Sequence, residues 1–190
     1  SSSITTSAGT LNITGSTATV TTANGMVNIT GHTATVGTAS STVNITGGSN
    51  TITTAEGTVS VAGGPNTVTT AQGTVNMTGT NTVTTAGSRV SMSGINTITT
   101  ANGTVLVTGH ENTISSNVGN MWVSGQSTIV SQNFANVRIT GATSTITNDE
   151  GGIIYVTGAS SVITSNAGIV NVTGDTTTIT TNSSVVNITG

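Results

Sequence analysis

The chain has 190 residues, of which 4% are charged and 2% aromatic, with one proline, no cysteine and a formal net charge of −3. So few large apolar side chains exclude a conventional globular core, and two basic residues exclude a phosphate-binding face for nucleic acid. The lack of cysteine excludes disulfides and thiolate metal sites. Disorder would bring high net charge and few β-branched residues; here Val, Ile and Thr abound and favour extended structure. No apolar run approaches the ~20 residues needed to span a bilayer. The sequence starts at Ser1 rather than Met, as expected of a mature chain after removal of a signal peptide and equally of a chain trimmed from a longer one. The expected location is extracellular, secreted or on the cell surface.

A five-residue phrase paces the chain. It enters as Leu-Asn-Ile-Thr-Gly at 11–15 and returns at 27–31, 43–47, 59–63, 75–79 and 90–94. It continues at 105–109, 121–125, 137–141, 154–158, 170–174 and 186–190. The closing glycines are 15 to 17 residues apart, so twelve coils account for residues 1–190 as a single all-β domain. Each coil holds two alternating segments, as in 66–70 and 74–78 of the fifth coil. Alternation is the mark of a strand with one buried face. It sends Val68, Val75 and Met77 inward and Thr67, Thr69, Thr74, Asn76 and Thr78 outward. Small corner residues such as Ala71, Gly73 and Gly79, and the pairs Asn24-Gly25 and Asn102-Gly103, supply the turns. The expected fold is a two-sheet parallel β-solenoid, with an antiparallel hairpin stack or sandwich as its competitor.

Stacked coils turn repeated residues into ladders. Asn12, Asn28 and Asn44 are expected to stack outside, and Asn50, Asn66, Asn81 and Asn96 in one interior corner. Thr54, Thr70, Thr85 and Thr100 form a second interior column. Buried amides and hydroxyls need partners, which neighbours one coil away would supply.

The chemistry-bearing residues are sparse. His32 and His110 each follow a coil-closing glycine and fall on solvated corners. Asp149 and Glu150 sit in the one 17-residue coil, at an enlarged turn, too few ligands for calcium. Neither nucleophile-base pairs nor metal-ligand spacings occur, so the expectation is no enzyme, no cofactor and no metal. Asn-x-Ser/Thr at Asn12, Asn28, Asn44, Asn76, Asn102, Asn171, Asn182 and Asn187 would accept glycans in a secreted eukaryotic or archaeal protein. It is equally the outward-inward-outward code of a strand.

Three surfaces carry functional expectations. On the second strand, Leu106, Trp122, Arg138 and Tyr155 follow one another in one outward column, beside Ile153 and Ile169. Such a patch marks a contact surface, expected to be lateral. On the first strand, Thr-x-Thr recurs outward at Thr19 and Thr21, Thr51 and Thr53, Thr67 and Thr69, Thr82 and Thr84, and Thr97 and Thr99, and again at 145/147 and 178/180. This array resembles the flat threonine ranks of β-solenoid antifreeze proteins, which implies an ice-binding face, interrupted at Gly37, Val130 and Val162. The third surface is the solenoid's ends. Ile4, Thr5, Leu11 and Ile13 at one end, and Ile179, Val186 and Ile188 at the other, carry no cap. Joining Gly190 to Ser1 continues the period in phase. The favoured expectation is therefore a structural filament subunit that stacks head to tail on copies of itself, similar in its stacked-coil architecture to curli-type matrix fibres. Ice binding is the alternative, and a stalk fragment of an adhesin the second. An ice or carbohydrate surface is the expected partner besides the chain itself.

Overall fold

Alternating β-branched and small polar residues favour extension, and a glycine-marked corner every eight or so residues forces that extended chain to turn. A computed structural model of the chain describes residues 2–190, with the side chains of 3–133 and 136–190. Extended segments cover nearly all of it: β1 (Ser2–Thr6), β2 (Thr10–Gly63), β3 (Asn66–Asn148), β4 (Gly152–Thr157), β5 (Ser160–Thr173) and β6 (Thr176–Thr189). β2 and β3, at 54 and 83 residues, are not straight; they wind. Every pairing between segments is parallel, in the order β1-β2-β3-β4-β5-β6, with β3 also paired to β5. Asn50 lies opposite Asn66, Val59 opposite Val75, and Ile163 opposite Ile179. Each residue thus pairs with its equivalent about sixteen positions on. This is a parallel β-solenoid of about twelve turns, and the parallel register rules out the hairpin stack and the sandwich.

The pairing does not divide into two separate sheets. It runs through the corners, so that two faces belong to one wound ladder. Gly73 shows how: at φ 134° it continues the extended run through a corner in a conformation that side-chain-bearing residues avoid. The coil-closing column has a different requirement. A Cβ on Gly31 would run into the backbone oxygen of Gly15 one coil away, so close stacking there excludes any side chain. Coil-length variation is absorbed at corners as well. Asn66 and Asn81 are fifteen residues apart and still bonded to each other. The extended ladder breaks at 7–9, 64–65, 149–151, 158–159 and 174–175; of these, Pro65 has no N–H to give, and Asp149–Gly151 is the enlarged turn expected there.

The core is a single layer between the two faces. Ile52, Val68, Val83, Ile98 and Ile114 form a continuous inward column at 0–1% exposure. Val75 and Met77 face them from the other side, with Asn76 between them exposed. The interior asparagines are buried and bonded amide to amide, Asn50 to Asn66 at 2.8 Å, Asn81 to Asn96 at 3.0 Å and Asn96 to Asn112 at 2.9 Å. The interior threonine column is mixed: Thr38 donates its hydroxyl to that of Thr54 one coil away at 2.8 Å, as a ladder would. Thr54, Thr70 and Thr100 are buried as expected, but their hydroxyls donate to the carbonyls of Glu56, Gln72 and Asn102 within the same coil. A hydroxyl has a single proton to donate, so each threonine that turns it to a carbonyl of its own coil leaves the rung-to-rung link to the carboxamides, which carry donor and acceptor on opposite sides.

Candidate functional surfaces

The two faces have different surfaces. On the first, alternation places one aliphatic residue of each coil inward and two short residues outward. Thr19, Thr21, Thr51, Thr53, Thr67, Thr69, Thr82, Thr84, Thr97 and Thr99 are all exposed. Register fixes them into two columns, with Thr5 opposite Thr21, Thr51 opposite Thr67 and Thr53 opposite Thr69. Neighbours stand ~4.8 Å apart along the axis and ~6.7 Å apart along the strand. The columns hold no charged residue. Gly37 and Val162 interrupt them as expected, but Val130 does not. Val130 is 1% exposed and belongs to the core, and Ile129, at 51%, stands in the threonine column. Adjacent aliphatics in an alternating strand leave the facing to the coil's phase, and the phase puts the second one inside.

The sequence reading missed a third column on this face. Ala23, Ala39, Ala55, Ala71 and Ala86 follow the threonines two positions on and are exposed. They extend the array sideways into a shallow depression lined by Thr69, Ala71, Thr84, Ala86, Thr99 and Ala101. The recurring Thr-Thr-Ala triplet was the available signal.

The second face has an outward column that begins as asparagine. The amide of Asn28 donates to Asn12 at 2.7 Å, and that of Asn44 to Asn28 at 2.9 Å. It closes the same way, Asn187 donating to Asn171 at 2.9 Å. Several nitrogens of the Asn-x-Ser/Thr sites are therefore engaged in ladders. Between them come Leu106, Trp122, Arg138 and Tyr155. Arg138 is registered opposite Tyr155, and Asn136 donates to Asn120 at 3.1 Å one rung down, which sets Trp122 beside Arg138. Trp122 is 43% exposed and Tyr155 48%. Both rings, with Arg138, Ile153, Asn120 and Asn136, line one depression of about 310 Å³. Ile153 pairs with Ile169, which continues the apolar strip beside the column. A broader trough lies where Ser60, Ala62, Ser91 and Ser93 replace longer side chains, bounded by Leu106.

At the solenoid's two ends, Ile4, Leu11 and Ile179 pack partly buried against the core, and Ile13 is buried. Thr5 is exposed. Val186 and Ile188 are 37% and 59% exposed, whereas their partners one coil inward, Val170 and Val172, are at 0% and 2%. His32 and His110 sit exposed on separate corners, and Asp149 and Glu150 are exposed at the ladder break. Among the described residues no three His, Cys, Asp or Glu gather as a metal site. No helix of the described residues is long and apolar enough to cross a membrane.

Winding, parallel register and ladders together define a parallel β-solenoid repeat protein. No family model, no curated protein and no solved structure matches the chain.

Proposed function

We propose that the chain is a structural, non-catalytic subunit of an extracellular filament in which solenoids stack head to tail. The observation that carries this reading is that one coil complements the next at every level. The same parallel backbone pairing, aliphatic column and polar ladders recur between neighbours. Nothing in that contact depends on the covalent link between coils. A coil laid over Val186 and Ile188 would bury side chains whose equivalents elsewhere are core. Supplied by a second copy, that coil makes a filament, because a head-to-tail contact does not close on itself. Supplied by more of the same chain, it makes a stalk, the arrangement of an adhesin. Electron microscopy and light scattering of the purified 190-residue chain separate the two. Thin fibres support the filament, and a monodisperse monomer at high concentration defeats it.

A second reading, ice binding, is favoured by the first face. Threonine is stiff at χ1, so its methyl and hydroxyl are held in fixed positions on a rigid lattice, with no charge to order water differently. The added alanine column widens the flat area available to a crystalline surface. Thermal hysteresis is the test.

A further inference from the structure

We propose that the depression around Trp122, Arg138 and Tyr155 binds a neutral β-1,4-linked glycan lying along the solenoid axis, its pyranose rings stacked on the two aromatic side chains. Trp122 and Tyr155 are two rungs apart with Arg138 between them, a separation of ~9.6 Å. That is about the length of two pyranose units, so alternate rings of an extended β-1,4 chain, which present the same apolar C–H face, meet successive aromatic platforms. The apolar face of a sugar suits a π-surface, and its equatorial hydroxyls need hydrogen-bonding groups around the rim. Both are present. Asn120 and Asn136 use one donor and one acceptor on each other, at 3.1 Å, and each keeps further hydrogen-bonding capacity. Arg138 offers only donors, and no carboxylate lines the depression to claim them.

The volume, about 310 Å³, lies at the low end of small-molecule sites and suits the part of a sugar chain that contacts the wall. The backbone beneath both rings is anchored in the core: Trp122 is flanked along its strand by buried Met121 and Val123, and Tyr155 by buried Ile154 and Val156. Little backbone ordering is then needed on binding.

Trp122 is the chain's one tryptophan, so its emission reports on this depression alone. The experiment titrates the full chain with cellohexaose and, in parallel, maltohexaose, whose α-linkage curls the chain away from a straight row of platforms. The expected result is a saturable change in emission with cellohexaose and none with maltohexaose. Tyr155→Thr, which suits a strand, and Arg138→Leu should each weaken binding about tenfold. Thr82→Tyr on the opposite face should leave it unchanged. Circular dichroism of each variant confirms that the solenoid is intact. No emission change with millimolar cellohexaose overturns the proposal. So does an equal response to both sugars, or an emission shift that follows protein concentration instead of sugar, which would assign the patch to contacts between copies.

Discussion

The side-chain amide of Asn66 donates to the carboxamide oxygen of Asn81 at 3.0 Å, fifteen residues onward in sequence and one rung onward in space. Asn66 also accepts from Asn50 at 2.8 Å, so it is a middle link in a buried chain of amides. Asn66→Ala should therefore destabilise the fold by about 1–3 kcal/mol for each buried group it leaves unpaired, read as a lower denaturation midpoint. Asn66→Ser should recover little, since serine replaces neither the length nor the two amide protons of the carboxamide that links Asn50 to Asn81. The converse is a gain. Thr128, which follows Asn112 in this column, is 1% exposed and its hydroxyl has no partner. Thr128→Asn should extend the ladder and stabilise by about 0.5–1.5 kcal/mol. A Thr128→Asn variant that melts lower than the parent would show that the interior there is too narrow for a carboxamide.

Two glycines with the same composition should respond oppositely. A Cβ on Gly94 would strike the backbone oxygen of Gly79, and its φ of 114° is strained for any other residue. Gly94→Ala should cost about 3 kcal/mol or more, because the obstructing atom is backbone that two coils share. Gly37 lies in the exposed threonine column, and nothing stands within 4 Å of an added Cβ. Gly37→Ala should stabilise by about 0.4–1 kcal/mol by restricting the unfolded chain, and Gly37→Thr should be at least as favourable in a strand. Equal losses for Gly94→Ala and Gly37→Ala in chemical denaturation would refute the close-approach argument.

The contrast between these residues also shows what could be read in advance. The period of the closing phrase located every coil, and alternation placed Val75 and Met77 inside and Asn76 outside. Both signals depend on local pattern repeated many times. Where the pattern is locally degenerate, it fails. Ile129-Val130 offers two aliphatics to one inward position, and only the phase of the whole coil decides between them. The hydroxyl bonding of Thr54 and Thr70 was illegible for another reason. It depends on which acceptor each hydroxyl meets, a carbonyl of its own coil or a hydroxyl of the next, and residue identity does not display that. The two aromatics lay in the right column from the start, but the depression between them depends on which neighbours are short.

The ice-binding reading makes a measurement with a built-in control. If the first face binds ice, the protein at micromolar concentration should separate freezing from melting temperature and shape crystals. Thr67→Tyr or Thr82→Tyr should abolish this, because each raises a ring above an otherwise flat exposed array while leaving the buried Val68 and Val83 in place. Gly37→Thr should enhance it by closing a gap between Thr21 and Thr53. Absence of hysteresis in the parent at high concentration removes the reading altogether.

Head-to-tail assembly has the most demanding signature, because the coil contact fixes its geometry. Twelve rungs at ~4.8 Å give a subunit repeat of about 55–60 Å along a thin, unbranched fibre, with the rung spacing itself visible in fibre diffraction. The joining surfaces are the edges carrying Ile4, Leu11 and Ile13 at one end and Ile179, Val186 and Ile188 at the other. Within one molecule, β1 pairs through Ile4 with Val20 on one side, and β6 pairs through Val186 with Val170. Assembly requires each of these strands to pair on its second side too. Proline at Ile4 or Val186 removes a backbone donor and adds a ring where the next rung must approach. Each should stop fibre growth while costing the monomer less than proline at Val75, an interior position paired to Val59 and 0% exposed. Exposed Thr5, by contrast, should tolerate Thr5→Ser with no loss of assembly. Fibres that persist in both proline variants would show that copies associate through a flat face rather than through the coil edges.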